Sequence, residues 1–141
     1  MIEIDNRTSL EVNDHLLNTI AKSLTNKEIE LIITTEDEIK TINKNSRGID
    51  KSTDVLSFPY ENMPMAPLGS IMISSLHVET KAKELGHSMD NELTLLFIHG
   101  LLHLLGYDHE IDNGEMRNKE AKLIKKFNLP KSLIVRTEDS I

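Results

Sequence analysis

The apolar and polar positions of this chain repeat with two periods and predict nine short elements. Ile2 to Asp5 alternates, as a half-buried strand does. Ser9 to Leu24 carries Val12, Leu16, Leu17, Ile20 and Leu24 at helical spacing. The β-branched run in Glu28 to Thr35 predicts a second strand. Thr35 and Glu38 form a capping-box pair ahead of a helix with Ile39 and Ile42 inward, ending near Gly48. Thr53 to Phe58 predicts a strand closed by Pro59, and Glu61 to Leu68 a loop interrupted by two prolines. Gly69 to Ser74 predicts a fourth strand, and Ser75 to Leu85 a helix stopped by Gly86. Asp90 is the expected cap of an almost wholly apolar helix, Asn91 to Leu105. A helix apolar all round is buried. Asp112 is the expected cap of a last helix with Met116, Leu123, Ile124 and Phe127 inward. The order βαβαββααα predicts an α+β fold, with a small four-stranded mixed sheet and about five helices packed on it.

At 141 residues the chain suits one domain, 1–141, with its own core. It has no Cys, which excludes disulfides and thiolate metal sites. The acidic, amphipathic start has no signal-peptide core, and the apolar run from Leu93 to Leu105 is too short to span a bilayer. A soluble, cytoplasmic protein with no membrane partner is expected. The net charge of −7 counts against general nucleic-acid binding, which rests on phosphate neutralisation, but leaves room for a local basic patch. Lys40, Lys44, Arg47 and Lys51 form one candidate; Arg117, Lys119, Lys122, Lys125 and Lys126 form another, better read as an ordinary solvated helix face.

The chemistry is concentrated in the buried helix. It reads His99-Gly-Leu-Leu-His103-Leu-Leu-Gly106-Tyr-Asp-His109. Histidines four apart share a helix face, about 6 Å apart along the axis. Gly106 can take the left-handed conformation that ends the helix, so that His109 swings under the other two. Three imidazoles with an open fourth position are the ligand set of a catalytic zinc site, and a bound metal would offset the cost of burying them. His103, in mid-helix, is expected in the core, and His109 on a loop. The spacing is that of zincin-like peptidases, which carry a glutamate base after the first histidine. Here that position is Gly100, which points to hydrolysis of something other than a peptide. Gly100 could admit a bulky phosphodiester or allow close helix packing.

Together with Arg47-Gly48, Thr53-Asp-Val-Leu-Ser-Phe-Pro59, Leu85-Gly-His-Ser88 and the stretch Met116 to Glu120, the histidine run resembles the YbeY family of bacterial endoribonucleases. The resemblance implies a metal-dependent, single-strand-specific ribonuclease. Such an enzyme acts in ribosomal RNA maturation, at the 3′ end of 16S rRNA, and in ribosome quality control. It implies one Zn²⁺ or another divalent transition metal on His99, His103 and His109. It also implies catalytic roles for Arg47 and His99, with single-stranded RNA, the small subunit and a ribosomal or assembly-factor protein as partners. Zinc lowers the pKa of bound water to about 7, and an arginine fork can hold two phosphate oxygens as charge develops. Arg47 could equally be a cation at a helix end. Thr53 and Asp54 are expected near the cleft. Asp108 could receive an N–H from a ligating imidazole or cap its own turn.

Two positions depart from the family pattern. Ser70 stands where an aspartate usually follows the glycine, and Ser52 where proline is common, leaving that loop less restrained. The competing readings are a zinc peptidase-like hydrolase and a non-catalytic assembly factor with a structural metal. Glu92 lies two turns, about 10 Å, before His99, too far for the missing base. A structural site would need a fourth ligand, for which His77 or a distant Asp is the candidate.

Overall fold

The computed structural model describes residues 1–61, 63–131 and 133–134, so positions 62, 132 and 135–141 of the expected domain lie outside the described residues. The elements in chain order are β1 (Ile2–Asn6), α1 (Asp14–Lys22), β2 (Ile29–Thr34), α2 (Glu36–Arg47), β3 (Val55–Pro59), β4 (Gly69–Ser74), α3 (Ser75–Leu85), α4 (Met89–Leu104) and α5 (Glu115–Lys126). The sheet order is β1-β2-β4-β3. β2 pairs parallel with both β1 and β4, while β3 runs antiparallel to β4 with Ser57 opposite Ile71. This is the mixed α+β arrangement that the segment order predicts.

Alternation along the strands builds two apolar layers. Ile29, Leu31, Ile33, Ile71 and Ile73 face one side and pack with Leu17, Leu93, Phe97 and Leu101 of α1 and α4. On the other side Met72 and Leu56 pack with Ile39 of α2. The outward face of α4 is covered in turn by α5, through Ile98, Leu102, Met116 and Leu123. α4 is therefore enclosed by sheet and helix, and every residue from Glu92 to Leu102 is buried.

Several helix starts differ from those expected, each for a local hydrogen-bonding reason. α1 begins at Asp14 rather than near Ser9, because the Asn13 side chain accepts the Leu16 N–H at 3.2 Å. Val12 and Leu24 lie outside the helix but still pack on the core. Ser88, not Asp90, caps α4 by accepting the Asn91 N–H at 3.0 Å. Asp112 acts from further back than a cap: its carboxylate accepts the N–H groups of Gly114 and Met116 at 2.8 and 3.0 Å. Those two bonds hold its pKa below the usual carboxylate value. Thr35 accepts the Glu38 N–H, but Glu38 turns to Thr34 and Arg7, so the capping box is half closed.

The two departures are compensated locally. Ser70 lies opposite Glu30, whose carboxylate accepts from both Ser70 Oγ and Tyr60 Oη, at 3.0 and 2.9 Å. A carboxylate is thus present, but on the neighbouring strand. The loop containing Ser52 is tied to α2, with Ser52 Oγ donating to Glu36 and the Asn43 amide to the Lys51 carbonyl.

Candidate metal centre

α4 ends in a Schellman motif. Gly106, at φ 100°, donates to the His103 carbonyl, and Tyr107 donates to the Leu102 carbonyl, both at 3.0 Å. A side chain would strain that backbone, which is why glycine stands at the bend. The chain then turns back and brings His109 beside the helix. The ring centroids of His99, His103 and His109 lie 4.7–5.7 Å apart. One nitrogen from each falls within 4.8 Å of the others, an arrangement able to hold a metal ion.

The three rings are not equivalent. His99 is the core histidine, at 3% exposure, whereas His103 is only half-buried. This corrects the expectation for His103, which sits one residue from the end of α4, where the helix emerges from its cover. Burial, and then the neighbouring His99 and His109 rings, push His103 below the ordinary histidine pKa. Neutral imidazole is the form that binds metal. His99 Nε2 and His103 Nε2 face each other at 3.1 Å. A cation between facing lone pairs suits that donor set.

The cluster opens on a cleft of about 490 Å³ whose lining includes His103, Asp108, His109, Ser57, Pro59 and Arg47. Arg47 is the exposed last residue of α2 and stands at the cleft rim, with the left-handed Gly48 ending the helix directly after it. The sequence motif around it thus meets the histidine run across one cleft. His99 lies beneath the cleft rather than in its wall. Thr53 and Asp54 do not line the cleft. They precede β3, where Asp54 accepts the Val55 N–H, and Ser57 and Pro59 further along form the wall instead.

Asp108 lines the cleft but caps its own turn, accepting the Glu110 N–H at 3.0 Å. The carboxyl group that faces a clustered imidazole is Glu120 of α5, with Oε1 3.5 Å from His99 Nδ1. Sequence reasoning noted Glu120 only within a family stretch. The available signal was a charged residue four after Met116 and three before Leu123, on the inward stripe of an amphipathic helix. His77 bonds Ser74 Oγ, and among the described residues no fourth His, Asp or Glu joins the cluster. His87 pairs with buried Glu92 at 2.8 Å. Gly100 is buried against the sheet, not open to the cleft.

A mixed α+β fold in which an enclosed helix and the turn after it bring three histidines together beside an open cleft, opposite an arginine, describes a class of compact proteins able to hold one metal ion. Residues 2–128 match the family model described as Endoribonuclease YbeY. The chain is 66% identical over 138 residues to the Endoribonuclease YbeY of Sulfurimonas denitrificans, covering 98% of this chain and 99% of that protein. It is 56% identical over 140 residues to the Endoribonuclease YbeY of Helicobacter pylori strain 26695, covering 99% and 100%. A solution structure of a Thermotoga maritima protein is similar at 34% identity and TM-score 0.62, over 90% of this chain and 89% of that one. The chain belongs to the Endoribonuclease YbeY family.

Proposed function

We propose that this protein is a metal-dependent endoribonuclease that cuts single-stranded RNA, with His99, His103 and His109 holding one Zn²⁺ or a similar divalent ion. The carrying observation is the convergence of the three imidazoles at one cleft with Arg47 on its rim. Family membership and the printed names of its relatives support the endoribonuclease reading. The resemblance extends the proposal to ribosomal RNA maturation at the 3′ end of 16S rRNA, to ribosome quality control and to a cytoplasmic setting with small-subunit partners. Among the described residues no helix is long and apolar enough to cross a membrane.

The donor set fits the ion. The ligands are imidazoles, two ring nitrogens already face each other, and the cluster supplies three protein ligands, as catalytic zinc sites do. When bound, such an ion acts as a Lewis acid and makes water a competent nucleophile near neutral pH. The chain's own groups do the rest. Arg47 can hold two oxygens of one phosphodiester in parallel and stabilise charge as it develops there. Lys44 and Lys40 are exposed one and two turns back along α2 and continue the positive face for a polyanion.

The test is digestion of a single-stranded RNA and its matched duplex, with and without chelator, beside elemental analysis and casein as a control. Chelator-sensitive cutting of the single strand alone is expected. Casein cleavage without RNA cleavage would return the peptidase reading; RNA cleavage by fully metal-free protein would remove the metal from the mechanism.

A further inference from the structure

Glu120 has an environment that packing alone does not explain. It sits on the inward face of α5 at 0% exposure, and neither carboxyl oxygen has a hydrogen-bond partner. Two other orphaned donors lie beside it. His99 Nδ1 is 3.5 Å and Arg117 Nη1 3.8 Å from Oε1, and both nitrogens are buried without partners. A buried polar atom without a partner is uncommon, and four on three neighbouring residues are rarer still. Their positions lie just beyond hydrogen-bond length, so a shift of about half an ångström would satisfy them together.

Resting on the proposed metal reading, we infer that Glu120 is the positioning residue of the metal centre: it accepts the Nδ1–H of His99 and so directs the Nε2 lone pair toward the ion. A ligating histidine commonly gives its second ring N–H to a carboxylate, which fixes tautomer and ring orientation and makes the ligand more basic. His99 is the ligand most in need of this, because its Nδ1 is buried and Glu120 is the carboxylate that faces it. Its Nε2 already faces His103, so its Nδ1 faces α5. Arg117, one turn earlier on α5, faces the same carboxyl oxygen and balances its charge. Asp108, the nearer carboxylate in sequence, is committed to its own turn. α5 is thereby coupled to the site without reaching the cleft.

The experiment measures zinc affinity of the full chain by competition with a chromophoric chelator, for wild type, Glu120→Leu and Glu120→Gln. Glu120→Leu should weaken zinc binding by about 10–100-fold, and Glu120→Gln, which keeps a neutral acceptor of the same shape, by about tenfold. The metal-free Glu120→Leu protein should melt lower than wild type, since the buried nitrogens of His99 and Arg117 lose the carboxylate they face, so affinities are compared at a temperature where every variant is folded. In ¹⁵N spectra of the zinc-loaded proteins, the His99 Nδ1–H proton should be far downfield in wild type and shifted upfield in Glu120→Leu. A purely structural role would leave that resonance and the affinity of Glu120→Gln unchanged. Zinc binding by both variants within twofold of wild type overturns this inference and leaves the metal reading intact. A wild-type chain that takes up no zinc overturns both. Should Glu120→Leu fail to fold, Glu120→Gln decides alone, through its affinity and its His99 resonance.

Discussion

Ser57 Oγ donates to the Gly100 carbonyl at 3.0 Å and locks the middle of α4 onto β3. A Cβ at position 100 would stand 2.8 Å from Ile71 Cγ2 and 3.1 Å from Ser57 Oγ. The position where related peptidase motifs carry their base is here a helix–sheet contact, which settles Gly100 in favour of close packing.

Gly100→Ala should therefore destabilise the protein. Alanine gains about 1 kcal/mol of helix propensity over glycine. The added methyl, however, must displace fully buried Ile71, and overpacking of this kind costs about 1–3 kcal/mol. Urea denaturation of the metal-free protein is the measurement. A higher midpoint than wild type would mean that β4 yields freely and that the contact is not limiting.

The three histidines should differ in what their loss does to the metal-free fold. His99→Ala removes an enclosed ring and strands Glu120, so a loss on the order of 2 kcal/mol or more is expected. His103→Ala and His109→Ala remove half-buried rings and should cost less. All three should lose bound metal. Equal melting temperatures for the three metal-free variants would contradict the burial order.

Arg47→Ala should leave metal content and melting temperature close to wild type, because the side chain is exposed at the end of α2. Cleavage of single-stranded RNA should fall on the order of a hundred- to a thousand-fold, the usual result of removing a preorganised donor. Arg47→Lys should recover only part, since a point charge cannot form two parallel bonds. Wild-type rates in Arg47→Ala would exclude the arginine from charge stabilisation.

The metal-free protein should lose stability on mild acidification. Burial and the neighbouring rings lower the pKa of His103 in the folded state below its ordinary value of 6.5. The unfolded chain then binds the proton more readily than the folded one. Stability is unaffected well above that value, falls as pH drops through it, and levels off below the depressed folded pKa. Melting curves between about pH 8 and pH 5 should show this, with a shallower fall in His103→Asn. A protein equally stable across that range would show that His103 protonates without hindrance.

Much of the fold could be read from the residues in order, because it depends on local periodicity. β4 and α3 have the bounds their patterns predict, and the all-apolar run of α4 announces its burial. The spacing from His99 through Gly106 to His109 carries the histidine cluster, since one helix turn and one left-handed glycine suffice to bring those rings together. Caps were less legible. Ser88 and Asp90 are both good capping residues two positions apart, and only the observed backbone decides which one accepts an N–H.

What depends on contact between distant segments was decided by the tertiary structure. Arg47 reaches the histidine cleft because β3, paired antiparallel with β4, also packs on α4, where Ser57 bonds to Gly100 across more than forty residues of chain. Glu120 finds His99 because α5 folds back over the outer face of α4. The same packing buries His99 and leaves His103, one residue from the end of α4, half-open. A periodic pattern tells a residue to face inward; which partner it meets there is set by how the helices and the sheet pack together.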